Sequence, residues 1–271
     1  MTIEQLQQPI LEEFRLFRQE YGRRTLSEVP LLGEVESYLN TTSGKQLRPL
    51  LVLLSAKACG TMAEHHILLA TAVELLHNAT LMHDDVVDES DERRGNDSIR
   101  HRWGNAAAVL CGDYFLAQVM TVLHDVGGEK PSTIVNETVR RMCAGELKQL
   151  SILKSGQVKL EDYLDIIGSK TAQLMSACCE LGACRNTENE DESYQHIMRE
   201  FGYNYGLAFQ ICDDMTDQQD CHDIGFPKGV HPQQLLDQYA ERALSLLSQL
   251  PDSPAREMLG QLVEITQHPK K

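Results

Sequence analysis

Two acidic pentads, Asp84-Asp85-Val86-Val87-Asp88 and Asp213-Asp214-Met215-Thr216-Asp217, constrain this chain more than any other feature. Each has the form DDxxD and sits in a stretch otherwise rich in apolar residues. On an α-helix the first and fifth positions lie one turn apart on the same face, roughly 6 Å along the axis. One such cluster is most simply a solvated acidic face. Two on separate apolar helices are harder to leave to solvent, because buried carboxylates need cations. Hard oxygen ligands from few side chains suit Mg²⁺, which keeps waters and takes substrate phosphates as further ligands. The expectation is two carboxylate walls facing each other around a Mg²⁺–diphosphate cluster.

The periodicity is helical almost throughout, and no strand-like alternation persists. The pattern predicts about ten helices, over 2–20, 28–40, 47–59, 63–89, 104–126, 131–152, 160–184, 191–220, 231–249 and 253–267. Pro49 fits an early helical position. Gly60, Gly127-Gly128 and Gly156 read as stops, and residues 91–95 as a charged loop ending in glycine. No Pro/Gly/Ser-rich stretch or repeat divides the 271 residues. The expected architecture is a single all-α domain over 1–271, a helical bundle with ligand groups projecting inward from facing helices around a central cavity.

The net charge of −15 argues against a nucleic-acid surface. It also means that binding a diphosphate requires metal and local basic groups. The eight cysteines show no CxxC spacing. They read as reduced thiols packed as small hydrophobes in a cytoplasmic protein. The opening Met-Thr-Ile-Glu-Gln has neither a basic segment nor a long apolar run, so no signal peptide is expected. The longest purely aliphatic run, residues 50–54, is too short to span a bilayer.

Several basic groups accompany the clusters. His77 precedes Asp84 by two turns and shares its face, although a histidine on an apolar helix is more often a satisfied core residue. Arg93 and Arg94 follow the first cluster; adjacent loop arginines are usually solvated, yet their planar forks match phosphate oxygens. Lys45 and Arg48 stand at a helix start in Gly44-Lys45-Gln46-Leu47-Arg48-Pro49, where free N–H groups and the dipole favour anions. Lys170-Thr171 lies inside an apolar helix, where a lone lysine usually reaches out to solvent.

Taken in order, GKQLRP (44–49), ELLHNATLMHDDVVDESDERRG (74–95), WGNAAAVLCGDYFLA (103–117), GELKQL (145–150), SKTAQL (169–174) and FGYNYGLAFQICDDMTD (201–217) resemble the trans-isoprenyl diphosphate synthases. Within that family the likeness is to the long-chain polyprenyl (octaprenyl-like) synthases. The resemblance implies that Asp84, Asp88 and Asp213 ligate Mg²⁺, supported by Asp85, Asp214 and Asp217. It assigns Arg93, Lys170, Thr171 and Gln210 to an allylic diphosphate, and Lys45, Arg48, His77 and Arg94 to isopentenyl diphosphate. Gln149 lies near the reacting carbons in this reading. The implied reaction is Mg²⁺-assisted ionisation of the allylic diphosphate, attack by the isopentenyl double bond, and proton loss to the departing diphosphate. Small Ala79 and Thr80 upstream of Asp84 imply an open tunnel and a long product, although Ala79 also reads as an ordinary packing residue.

The likeness breaks after Asp217. The family continues with a loop carrying GKxxGxD and then EGK, whereas residues 218–229 run almost directly into the terminal helices. A lysine that faces the allylic diphosphate is thereby missing, and Lys228 is a substitute without a motif. Three readings follow: a cytoplasmic long-chain polyprenyl diphosphate synthase; a non-catalytic or regulatory subunit of a heteromeric synthase; and a class I terpene cyclase. The last leaves Lys45, Arg48 and His77 without a task. The resemblance further implies a homodimer, or a heterodimer with a related synthase, and at most peripheral membrane contact for product release.

Overall fold

The structure is a computed structural model, which describes residues 3–41, 44–93, 95–155, 158–185, 193–216, 226–227 and 229–268. The chain forms two compact units. One comprises Leu11–Leu50 and Glu64–Gly127, and the other Met1–Ile10, Leu51–Ala63 and Gly128–Lys271. They are called here the α5 unit and the α11 unit, after their central helices.

The α5 unit contains α2 (Leu11–Thr25), α3 (Pro30–Thr41), the start of α4 (Leu47–Ala58), α5 (His65–Val87), a two-stranded hairpin (β1 Glu92–Arg93, β2 Asn96–Asp97), α6 (Ile99–Trp103) and α7 (Asn105–Val126). Pro49 occupies the first turn of α4 as expected, where a missing N–H leaves no gap in the helix ladder. Helix α5 is buried nearly all round, which makes it the core helix of its unit. It packs along α7 and against α2. By length and composition α7 is apolar enough to cross a bilayer, which the inspection of aliphatic runs missed. Its buried side chains, among them Ala108, Cys111, Phe115, Val119 and Val122, follow the three-and-four spacing of a helix with one face in a core.

The α11 unit holds α1 (Ile3–Leu6), a 3₁₀ turn (Gln8–Ile10), the rest of α4, α8 (Glu129–Ser155), α9 (Leu160–Ile167), a π-turn (Gly168–Ala172), α10 (Gln173–Ala183), α11 (Ser193–Thr216), α12 (Pro232–Leu247) and α13 (Pro254–Gln267). Helix α11 packs against α10, α12 and α13. Its Gly202 lies so close to α10 that an added Cβ would stand 2.6 Å from the Met175 carbonyl oxygen and 2.8 Å from Ser176 Cα.

Three features depart from the periodicity. Pro9 breaks the helix expected over 2–20, because its ring cannot continue the ladder. The helix expected over 160–184 is interrupted by the π-turn. The charged loop after Asp88 is partly ordered as the hairpin and α6, with Glu92 opposite Asp97 and Arg93 opposite Asn96. Six of the cysteines are buried as expected, and Cys143 is exposed. Gly156 and Cys221 lie outside the described residues.

The close seat of Gly202 gives a direct test. Gly202→Ala pushes a methyl group into backbone that cannot rotate away, at a cost of about 1–3 kcal/mol. Denaturant melts of the two chains measure it, and an unchanged midpoint would show that α10 and α11 separate freely.

Candidate functional site

In the α5 unit the first cluster closes helix α5. Asp88 caps the helix, its N–H bonded to the Asp84 carbonyl at 2.8 Å, so the two aspartates stand one turn apart on one side. Both are half-buried. Asp85 is turned about 100° round the helix. It is 2% exposed and accepts from Arg93 Nε at 2.8 Å in an ion pair. Burial pushes the Asp85 carboxyl above the ordinary carboxylate range, against the opposing pull of the Arg93 charge and hydrogen bonds.

The hairpin delivers Arg93. Its ends are tied down by the Ser98 N–H to the Asp91 carbonyl at 2.8 Å and by the Ser98 hydroxyl to the Ser90 carbonyl at 2.6 Å. Arg100 adds bonds to the Glu89 carbonyl and the Asp91 carboxylate. Glu89 itself sits at φ +51°, a conformation that non-glycine residues rarely adopt. Arg94 lies outside the described residues.

Upstream on α5, His77 is buried two turns before Asp84. Ala79 is buried, and the half-buried Thr80 donates its hydroxyl proton to the His77 carbonyl at 2.9 Å. Exposed Lys45 and half-buried Arg48 flank the start of α4. Between them Gln46 holds φ +49° and accepts from Arg18 Nε at 3.2 Å. Strained backbone thus brackets both motifs of this unit, as it does at many binding sites. A small cleft of about 60 Å³, open to solvent, is lined by Tyr21, Tyr38, Gln46, Asn78, Asp85 and Arg93 among others.

In the α11 unit the site is built on the π-turn, which carries Lys170 and Thr171. Two glycines make the turn possible. A Cβ on Gly145 of α8 would stand 2.6 Å from Ser169 Cβ, and one on Gly206 of α11 would stand 2.5 Å from Ala172 Cα. Lys170 Nζ lies 2.6 Å from Glu146 Oε1 and donates to Gln149 Oε1 at 3.0 Å. Thr171 donates to Gln210 Oε1 at 2.7 Å, and Gln210 Nε2 donates to Asp214 Oδ1 at 2.7 Å. The second Asp214 oxygen accepts from the Tyr163 hydroxyl at 2.6 Å. Asp213 is half-buried beside it, while Asp217 and Lys228 lie outside the described residues.

Both units therefore hold the motif residues that the sequence singled out, with carboxylate and cation already neighbours. The Polyprenyl synthetase family model matches residues 29–225 of the chain. This chain belongs to the polyprenyl synthetase family. Octaprenyl diphosphate synthase of Escherichia coli (strain K12) is 35% identical over 195 residues, covering 70% of this chain and 58% of that protein. Heptaprenyl diphosphate synthase component 2 of Bacillus subtilis (strain 168) is 33% identical over 210 residues, covering 76% and 59%. The match thus spans less than two thirds of either relative. Among solved structures, the polyprenyl synthase from Caulobacter crescentus CB15, complexed with calcium and isoprenyl diphosphate, superposes with a TM-score of 0.89 at 26% identity, covering 98% of this chain and 97% of that one. A decaprenyl diphosphate synthase from Rhodobacter capsulatus gives a TM-score of 0.88 at 27% identity, with 98% of each chain covered. The chain has the all-α fold of these synthases.

The metal question for a polyprenyl synthetase turns on the donors. Among the described residues no group of three or more His, Cys, Asp or Glu side chains could hold a metal ion. Asp84 and Asp88 offer hard oxygens from consecutive turns, whereas Asp85 is committed to Arg93 and Asp214 to Tyr163 and Gln210. A short donor set fits Mg²⁺, which takes one or two carboxylates and fills its octahedron with water and phosphate.

Two neighbours of the motif residues, Glu146 and Tyr163, were not among the candidates in the sequence. Glu146 stands in GELKQL three residues before Gln149, a spacing that puts both on one helix face. Tyr163 carried no local signal at all.

The buried Asp85 predicts a pH dependence. A raised folded pKa means that the folded chain holds the proton more tightly than the unfolded chain. Stability from this group is then full below the ordinary aspartate range and falls as pH rises through the raised value. Asp85→Asn removes that fall, so the metal-free variant gains on wild type as pH rises from the ordinary aspartate range toward neutrality. Thermal midpoints across that range check it; a gap that does not change with pH would mean that Arg93 fully compensates the charge.

Proposed function

We propose that this chain is a prenyltransferase that condenses isopentenyl diphosphate with an allylic diphosphate into a long-chain all-trans polyprenyl diphosphate. The observation that carries the reading is a DDxxD cluster in each unit, ion-paired to Arg93 in one and hydrogen-bonded through Gln210 to Thr171, the neighbour of Lys170, in the other, inside the polyprenyl synthetase family. Bound Mg²⁺ would supply counter-charge to the leaving diphosphate, held by Asp84, Asp88 and Asp213. Asp85, Asp214 and Asp217 would support those ligands. Arg93, Lys170, Thr171 and Gln210 would grip the allylic diphosphate; Lys45, Arg48, His77 and Arg94 would anchor isopentenyl diphosphate. Holding both substrates turns a bimolecular encounter into an intramolecular attack. Gln149, 4% exposed, would stand close to the reacting carbons. The departing diphosphate accepts the final proton, so no carboxylate base is needed. The apolar surroundings would keep water from the allylic cation.

Ala79 and Thr80 support a long product, since a small residue leaves room for the growing chain. In this reading the two units act as a single catalytic domain, in the cytoplasm, and Lys228 is the one candidate for the family's absent loop lysine. The absence of that loop supports a second reading, a non-catalytic subunit of a heteromeric synthase. The likeness to a protein named as component 2 of a heptaprenyl diphosphate synthase supports the heteromeric part of that reading, and not its non-catalytic part.

Pure protein with Mg²⁺, labelled isopentenyl diphosphate and an allylic starter separates the two. Turnover with long products is expected, together with a loss of ~10²–10³ or more in Asp84→Ala and in Asp213→Ala. Thermal midpoints without Mg²⁺ should stay near wild type, because removing one carboxylate relieves repulsion within its cluster. Full activity in either variant would sink the assigned roles. Activity that appears only after adding a related full-length synthase would establish the subunit reading.

A homodimer is part of the proposal. Helix α7 exposes Leu110 at 66% and Met120 at 72%, unusually open positions for such side chains. Paired Leu110→Glu and Met120→Glu should convert a dimer to a monomer in sedimentation at micromolar concentration. A wild-type chain that already sediments as a monomer would contradict the dimer.

A further inference from the structure

Tyr163 belongs to none of the motifs that carry the family likeness, yet it ends a chain of four side chains from three elements. The order is Thr171 on the π-turn, Gln210 and Asp214 on α11, and Tyr163 on α9, with links of 2.7, 2.7 and 2.6 Å. The direction of every link follows from one group. An ionised carboxylate only accepts, so Asp214 forces the Gln210 amide to turn its NH₂ inward. The Gln210 carbonyl then faces Thr171 and takes the threonine proton. Tyr163 closes the other Asp214 oxygen, its own side chain fully buried and its ring 5.1 Å from that of Phe226.

We propose that Tyr163 is a positioning residue for the second aspartate cluster. Its hydroxyl fixes Asp214, and through Gln210 it fixes the proton direction at Thr171. Asp214 is half-buried, and a charge-assisted bond to a carboxylate is strong and geometrically demanding. Loss of it lets Asp214 rotate, and the end of α11 that bears Asp213 loses its anchor to α9. The inference rests on the prenyl-transfer reading, because what is positioned is the metal–diphosphate site.

Tyr163→Phe keeps the ring and removes the bond. The probe is Mg²⁺ with inorganic pyrophosphate, titrated calorimetrically into the full chain. Affinity is expected to fall about tenfold or more. The Mg²⁺ concentration giving half-maximal turnover should rise in parallel, while circular dichroism stays native. On a Gln210→Leu background the same substitution should lose less, because the chain is already cut. A variant that binds as tightly as wild type overturns this proposal alone, as does a purely additive pair. A Tyr163→Phe chain that fails to fold makes Tyr163 a core side chain and overturns it too. A wild-type chain that binds no Mg²⁺–pyrophosphate overturns the prenyl-transfer reading, and this proposal falls with it.

Discussion

The second aspartate of each pentad is anchored, and the rest of each site is arranged round that anchor. Asp85 is held by a guanidinium and Asp214 by a phenol and an amide. Asp85 is buried and Asp214 half-buried, and a carboxylate withdrawn from water without partners costs several kcal/mol. The first aspartate of each pair, Asp84 and Asp213, is half-buried. The two solutions differ in kind. A charged partner at Asp85 offsets burial at long range, whereas the neutral donors at Asp214 act only through geometry.

Charge is balanced locally in a chain of net charge −15. Arg93 lies against Asp85, and Lys170 lies against Glu146 and Gln149. In the proposed reaction an incoming diphosphate would therefore compete with the resident acceptors for the same donors. The gain on binding is the difference between two charge-assisted arrangements, not the full strength of one.

The aspartate pentads, the helical class and the basic motif residues were legible because each is a local pattern with a fixed helical period. Pro49 and the stops at Gly60 and Gly127-Gly128 were legible for the same reason. Pro9 carried a breaker signal as strong as any, but the apolar pattern on either side of it hid the interruption. The π-turn was not legible. It depends on glycines of two other helices, Gly145 and Gly206, whose role appears only when those helices approach. The hairpin has strands of two residues each, below any useful period. Tyr163 meets Asp214 across 51 positions of sequence, and nothing near it in the chain announces the bond. Glu146 stood in plain view beside Gln149, but its meaning depends on Lys170 reaching it from another helix.

The π-turn at Gly168–Ala172 lies between α9 and α10. A π-turn accommodates one more residue than an α-helical turn, so deleting a single residue there would restore a regular helix. The flanking helices would keep their facing, because the turn already absorbs the extra residue, and α10, which is buried along most of its length, would still present the same row of side chains. The loss would fall inside the turn, where Lys170 and Thr171 now meet Glu146, Gln149 and Gln210. A deletion elsewhere in the stretch has no such slack and swings one side by about 100° relative to the other. The turn thus lets this stretch carry one more residue at the site without disturbing the packing on either side of it.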